Sequence, residues 1–172
     1  MHHPRSQSNA RLTVDRLVVY SGAMPAFRFP FVVRFADVDH AGIVYYPVFF
    51  DYFHIAFEEL FRQRIGATAY LKLLDQDKIG FPAVRAECDY KSPLRFADAA
   101  ETEITLKRMG SKSVSLAYTV TKVDRESRTL CASGAVICAI TDLQSFRAIE
   151  IPEDLRLLFL ELSESSGLKG EG

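Results

Sequence analysis

The chain has 172 residues, 48% of them hydrophobic and 25% charged, with a formal net charge of −1. That is the size and make-up of one globular domain with a single core. So small a net charge gives no bulk attraction to nucleic acid or to an anionic membrane surface, and no apolar run approaches the ~20 residues that cross a bilayer.

The first residues, Met1 to Ala10, are polar and lack the apolar stretch of a signal peptide. Residues 1–26 read as an N-terminal extension, although the alternation of Leu12, Val14, Leu17, Val18 and Val19 allows an extra edge strand within it. Phe27, Phe29, Phe31, Val33 and Phe35 then alternate with Arg28, Pro30, Val32 and Arg34, which predicts a strand with one heavy apolar face. Pro30 removes a ladder donor and points to the sheet edge. After an irregular stretch from Ala36 to Tyr46, Pro47 stands where a helix can begin without losing a hydrogen bond. Phe49, Phe50, Phe53, Phe57, Leu60 and Phe61 recur at three and four residues, and Val48, Tyr52 and Ile55 widen the arc. Such a helix is expected to be buried on most of its sides, with Gly66 closing it.

A short second helix over 68–77 is followed by period-two runs at 84–90, 100–106 and 114–120, joined by turn residues at Ser92-Pro93, Met109-Gly110-Ser111 and Asp124-Arg125-Glu126. The run 130–140 is apolar on both faces, as befits a strand inside a sheet. Pro152 to Leu162 has the pattern of a terminal helix, and 163–172 reads as a flexible tail. Cys88, Cys131 and Cys138 fall within the strand-like runs, where cysteine acts as a small hydrophobe, and they show no metal-ligand spacing. They fit a reduced, cytoplasmic protein. The expected fold is α+β: five antiparallel strands curled around one long helix, the hotdog arrangement, in a single domain over 27–162.

The irregular stretch carries the chemistry. The run Phe35-Ala36-Asp37-Val38-Asp39-His40-Ala41-Gly42-Ile43-Val44-Tyr45-Tyr46-Pro47 resembles the active-site signature of the 4-hydroxybenzoyl-CoA thioesterase family, and the resemblance extends from about Phe27 to about Ile151. It implies that Asp39 is the catalytic carboxylate and that the backbone N–H of Tyr46, at the helix start, stabilises the oxyanion. Tyrosine there is like the hydroxybenzoyl branch; a related bacterial branch associated with the Tol-Pal cluster carries histidine. The resemblance also implies an acyl-CoA substrate, no cofactor, and a homodimer or homotetramer (a dimer of dimers) with sites at subunit interfaces. Arg108 and Lys112, flanking the turn at Gly110, match positions that meet the CoA phosphates.

The chemistry is consistent with that assignment. The departing thiol has an ordinary pKa of about 8.5, so it leaves without a strong acid. One carboxylate, acting as nucleophile or as base on water, suffices with a helix N-terminus for the oxyanion. Asp37 is expected to organise the turn through its backbone, His40 to be an exposed loop residue, and Gly42 to supply a backbone angle. Gly42, Val44 and Tyr45 are expected beside the ligand. His54 and Glu58, four apart on the helix, either line the acyl pocket or form a structural pair.

Metal readings of this run fail. As a calcium loop starting at Asp37 it would put Val48 where a closing carboxylate belongs. As an aspartyl-phosphate motif it would need parallel βαβ units. Two rivals stay open: a non-catalytic acyl-CoA or acyl-carrier-protein binding module or scaffold, which has no need of Asp39, and a hydroxyacyl-thioester dehydratase, whose catalytic histidine has no clear occupant here.

Overall fold

The computed structural model describes residues 26–163. Strand β1 (Phe27–Val32) leads through a 3-10 turn (Phe35–Asp37) to helix α1 (Val48–Arg64) and helix α2 (Ala67–Asp75). Strands β2 (Ile79–Gly80), β3 (Ala83–Tyr90), β4 (Ala99–Met109), β5 (Ser113–Val123), β6 (Arg128–Ala139), β7 (Thr141–Asp142) and β8 (Arg147–Ala148) follow, and helix α3 (Glu153–Leu160) ends the described chain. The main sheet has five strands in the order β1-β4-β5-β6-β3, with every neighbouring pair antiparallel. β2, β7 and β8 make a small second sheet, too short to leave a periodic signal in the sequence.

The period-two runs become the inner face of that sheet. Ala100, Thr102 and Ile104 on β4, and Val114, Leu116, Tyr118 and Val120 on β5, are buried, while their alternates face outward. Helix α1 lies against this face through Phe49, Tyr52, Phe53, Ala56, Phe57, Leu60 and Phe61. Each large side chain so buried contributes roughly 1.5–3 kcal/mol. Phe53 stacks on Tyr118 with ring centroids 4.7 Å apart. Gly134 makes that stacking possible: a Cβ there would lie 2.8 Å from the Phe53 ring and would also strike the Glu87 carbonyl. At the far end of α1, Phe61 meets Phe81 and Phe159 with centroids 5.0 and 6.2 Å away, so α3 caps the core. Gly66, with φ of 87°, ends α1 in a conformation that favours glycine.

Pro30 does lie on an edge strand, and β6 is interior, paired on both sides. Two expectations need correction. The first strand stops at Val32 instead of running to Phe35, because the chain turns there: Val33 is buried and bonds to the loop at 97–98, whereas Phe35 is exposed. Helix α1 is covered on one face, not nearly all round. Asp51, His54, Ile55, Glu58 and Arg62 are exposed, since the sheet of one chain reaches only one side of the helix. The possible edge strand at Leu12 to Tyr20 and the tail beyond residue 163 lie outside the described residues.

One buried polar group is left without a partner. Thr102 is fully buried on the inner face of β4, and among the described residues its hydroxyl makes no hydrogen bond. An unsatisfied buried hydroxyl costs about 1–3 kcal/mol, and replacing it with an apolar group of the same shape removes that cost. Thr102→Val is therefore expected to raise stability by about 1 kcal/mol, read as a higher urea midpoint at unchanged slope. A lower midpoint would show that the hydroxyl is satisfied.

Candidate active site

The irregular stretch between β1 and α1 is held by its own backbone. Asp37 accepts a hydrogen bond from the Arg34 N–H through Oδ2 at 2.8 Å, closing the 3-10 turn. The Tyr45 N–H donates to the Asp37 carbonyl at 2.9 Å, and the Asp39 N–H donates to the Ile43 carbonyl at 3.0 Å. Gly42 donates to the Asp39 carbonyl at 2.9 Å and has φ of 73°, so a backbone angle accounts for the glycine; a Cβ there would meet nothing within 4 Å. A bridge between Val38 and Val44 ties the two arms of the loop together.

The loop is also fastened to its surroundings. The Val44 N–H donates to the Leu94 carbonyl at 2.8 Å, and its side chain is 5% exposed in the core. Val44 therefore anchors the loop through both its backbone and its side chain. The second fastening comes from α1. The Tyr52 hydroxyl donates to Asp37 Oδ2 at 2.9 Å, so one carboxylate oxygen serves both the turn and the helix. Burial, then the bond to Asp37, pushes the Tyr52 phenol far above its ordinary range, so it remains a donor. Phe31 packs against the Tyr52 ring at 4.3 Å.

At the tip of the loop Asp39 is exposed. Its Oδ1 accepts the Ala41 N–H at 2.8 Å, and Oδ2 has no hydrogen bond among the described residues. The start of α1 lies close by. The Tyr45 phenol is held above its usual range first through its hydrogen-bonding approach to Tyr46, and in smaller part by the charge of Asp39. The Val48 and Phe50 N–H groups are taken by the Tyr45 and Pro47 carbonyls, each at 2.9 Å, while the Tyr46 N–H finds no acceptor among the described residues. The loop thus carries an open carboxylate oxygen on Asp39 and, just before the positive end of the α1 dipole, an N–H of Tyr46 without an acceptor among the described residues.

Aromatic side chains surround the helix start. Tyr45 and Tyr46 are exposed, and the Tyr90 hydroxyl from β3 donates to the Tyr46 carbonyl at 3.1 Å. Phe49 packs against Tyr90 with centroids 5.3 Å apart. A groove of about 920 Å³ runs between β1 and α1, walled by Phe31, Phe35, Tyr52, Ile55 and Phe96. A second cavity of about 340 Å³ lies on the other flank of α1, between that helix and the inner face of β3 and β6. Tyr52, Tyr90 and Phe96 were not singled out by sequence pattern, which shows only that they are apolar residues on core-facing or loop positions.

His40 is exposed, as expected. His54 and Glu58 pair through Nε2 and Oε1 at 3.2 Å on the open face of α1, with side chains 69% and 52% exposed, and His54 borders both cavities. Arg108 and Lys112 are not brought to the loop of their own chain. Val32, where β1 feeds the loop, pairs with Ala99, whereas Arg108 lies nine residues farther along β4. At about 3.3 Å per residue that is close to 30 Å. Arg108 instead borders a shallow outer-face hollow with Arg85, Glu87 and Lys107.

A family model described as the thioesterase-like superfamily matches residues 33–159. The chain is 25% identical over 122 residues to a 1,4-dihydroxy-2-naphthoyl-CoA hydrolase of Synechococcus sp. (strain CC9902), covering 69% of this chain and 82% of that protein. Among solved structures, a gentisyl-coenzyme A thioesterase is 30% identical with a TM-score of 0.64, covering 75% of this chain and 98% of that one. A 1,4-dihydroxy-2-naphthoyl-CoA thioesterase from Synechocystis, 20% identical with a TM-score of 0.69 over 80% of this chain and 97% of that one, shares the fold.

The clamp between Tyr52 and Asp37 is open to direct test. Tyr52→Phe removes one hydrogen bond to a carboxylate and nothing else, so a loss of about 1–2 kcal/mol in stability is expected. Amide exchange at Tyr45 should quicken with it. Unchanged exchange at Tyr45 would mean that Asp37 holds the loop without help from the helix.

Proposed function

The chain belongs to the thioesterase-like superfamily, and on that premise we propose that it hydrolyses the thioester bond of an acyl- or aroyl-CoA to a free acid and coenzyme A. The observation that supports the reading is that, within one loop, Asp39 keeps a carboxylate oxygen and Tyr46 an N–H that find no partner among the described residues. The relatives named for CoA thioester hydrolysis support the reaction type.

On this reading Asp39 supplies the attack. Either its carboxylate adds to the thioester carbonyl, expelling CoA thiolate and leaving a mixed anhydride for water to cleave, or it takes a proton from the water that adds. In both routes the carbonyl oxygen gains negative charge, and the Tyr46 N–H with the helix dipole offsets it. Gly42, Val44 and Tyr45 shape the loop that holds Asp39, and Tyr45 also borders the helix start. His54 and Glu58 border the acyl side. Arg108 and Lys112 are cations suited to CoA phosphates, and with the Asp39 loop so far off in the same chain, they fit a substrate that spans two subunits.

The open edge of β3 supports a homodimer, or a homotetramer made of two such dimers. One side of β3 pairs with β6, but its other edge has no partner among the described residues, and nearly every residue on it is exposed, including Val84 and Tyr90. Long free edges are normally covered, and a two-fold pairing of β3 with the same strand of a second copy would do so. Among the described residues no helix is long and apolar enough to cross a membrane.

Two measurements test these proposals. Thiol release from short, long-chain and aromatic acyl-CoAs should fall by about 10²–10⁴-fold in Asp39→Asn. Release that survives the substitution undiminished would remove Asp39 from the chemistry, and tight binding of every CoA ester without release would favour a binding module. Sedimentation should give a dimer or tetramer at micromolar concentration, and a monomer there would dispose of the β3 pairing.

A further inference from the structure

The end of β3 and the loop after it hold the approach to α1 in two different ways. The Leu94 carbonyl takes the Val44 N–H at 2.8 Å, a backbone bond that any residue at 94 could make. The Tyr90 hydroxyl donates to the Tyr46 carbonyl at 3.1 Å, a bond that needs this side chain. Tyr90 is itself firmly placed. It pairs with Ala132 at the last position of β3, and the next two N–H groups, of Lys91 and Ser92, both donate to the Cys131 carbonyl, at 2.8 and 3.2 Å. Its ring packs against Phe49, with centroids 5.3 Å apart, and edge-on to Tyr46 at 6.4 Å. Burial does not force the hydroxyl onto that carbonyl, because Tyr90 is 47% exposed and water could serve it equally well.

Two peptide planes meet at Tyr46. In the first, the Tyr45 carbonyl accepts the Val48 N–H at 2.9 Å. A trans peptide points its N–H opposite to its carbonyl, so this bond turns the Tyr46 N–H away from the first turn of α1 and leaves it open. The second plane joins Tyr46 to Pro47, and proline has no N–H to fix it. The helix does not take its carbonyl either: the Phe50 N–H goes to Pro47 at 2.9 Å, and among the described residues no backbone N–H donates to the Tyr46 carbonyl. There the Tyr90 hydroxyl makes the one hydrogen bond to that plane. An oxyanion donor is worth most when it is aimed before the reaction begins. We propose that Tyr90 is a positioning residue for the reaction: its hydroxyl locks the second plane, and with it the angle at which the Tyr46 N–H meets the oxyanion. The inference rests on the hydrolase reading above, and it assigns a residue that acts through Tyr46 without touching substrate.

Tyr90→Phe keeps the ring on Phe49 and removes only the hydroxyl. It should lower kcat and kcat/KM alike by about tenfold, a part of the roughly 10²–10³-fold lost when an oxyanion donor is removed outright. KM should stay within about twofold of wild type and the urea midpoint close to it. Equal losses in kcat and kcat/KM mark an interaction that counts only in the transition state. Carbon-13 labelling of the Tyr46 carbonyl reads the bond without reference to activity, and its resonance should move upfield in the variant. Wild-type kcat in Tyr90→Phe overturns the proposal. So does a raised KM at unchanged kcat, which would make Tyr90 a substrate contact. A fall in kcat that tracks a lower urea midpoint, with the Tyr46 resonance unmoved, overturns it too, since the role would then be structural. If wild type releases no thiol from short, long-chain or aromatic acyl-CoAs, it is the hydrolase reading that fails, and Tyr90 has no oxyanion to serve.

Discussion

Everything at the candidate site depends on one carboxylate oxygen. Asp37 Oδ2 takes the Arg34 N–H from the turn before it and the Tyr52 hydroxyl from the helix after it. Beyond that oxygen, the stretch from Ala36 to Tyr46 is held by the Val38–Val44 bridge, the Val44 N–H on the Leu94 carbonyl and the Tyr90 hydroxyl on the Tyr46 carbonyl. Asp39, His40, Ala41, Gly42, Tyr45 and Tyr46 are all exposed, so almost no apolar burial holds them. Fixing the backbone of each such residue costs roughly 1–2 kcal/mol. A small set of strong hydrogen bonds to an ionised group offsets part of that cost, and Val44 supplies the apolar anchor. The same bond sets the loop relative to α1, and therefore sets Asp39 relative to the N–H of Tyr46.

Much of this was legible in the sequence where periodicity or turn chemistry decides. The phenylalanine alternation from Phe27, the helix from Pro47 to Gly66 and the hairpin at Gly110 all follow local rules, and the chain obeys them. What escaped was long-range or negative. Nothing in the sequence joins Asp37 to Tyr52 across fifteen positions, because one Tyr in an aromatic helix looks like any other core residue. Phe35 continues the alternation on paper, yet leaves the sheet because the Asp37 turn reverses the chain. The open face of α1 was hidden for a related reason: Ile55 read as buried with Val48 and Phe50, but those two pack against the core while no strand among the described residues covers Ile55.

Three open features lie near one another in kind. The edge of β3, the exposed stripe of α1 and the outer-face cations around Arg108 are each incomplete within one chain. Arg108 and Asp39 lie toward opposite ends of the sheet. An antiparallel pairing about the middle of β3 would exchange ends between two copies, so that the Ala83 end of one strand meets the Tyr90 end of the other. In the dimer proposed above, one geometric operation would answer both the free edge and the separation of the inferred site residues.

The burial of the cysteines has a consequence for an enzyme of thioesters. Cys138 lies in the wall of the cavity beside α1, and burial pushes its thiol up to about 11. Only a thiolate attacks a thioester, and at neutral pH Cys138 is held as the thiol. The packing that seats Cys138 in the core therefore also keeps its sulfur protonated and a poor nucleophile.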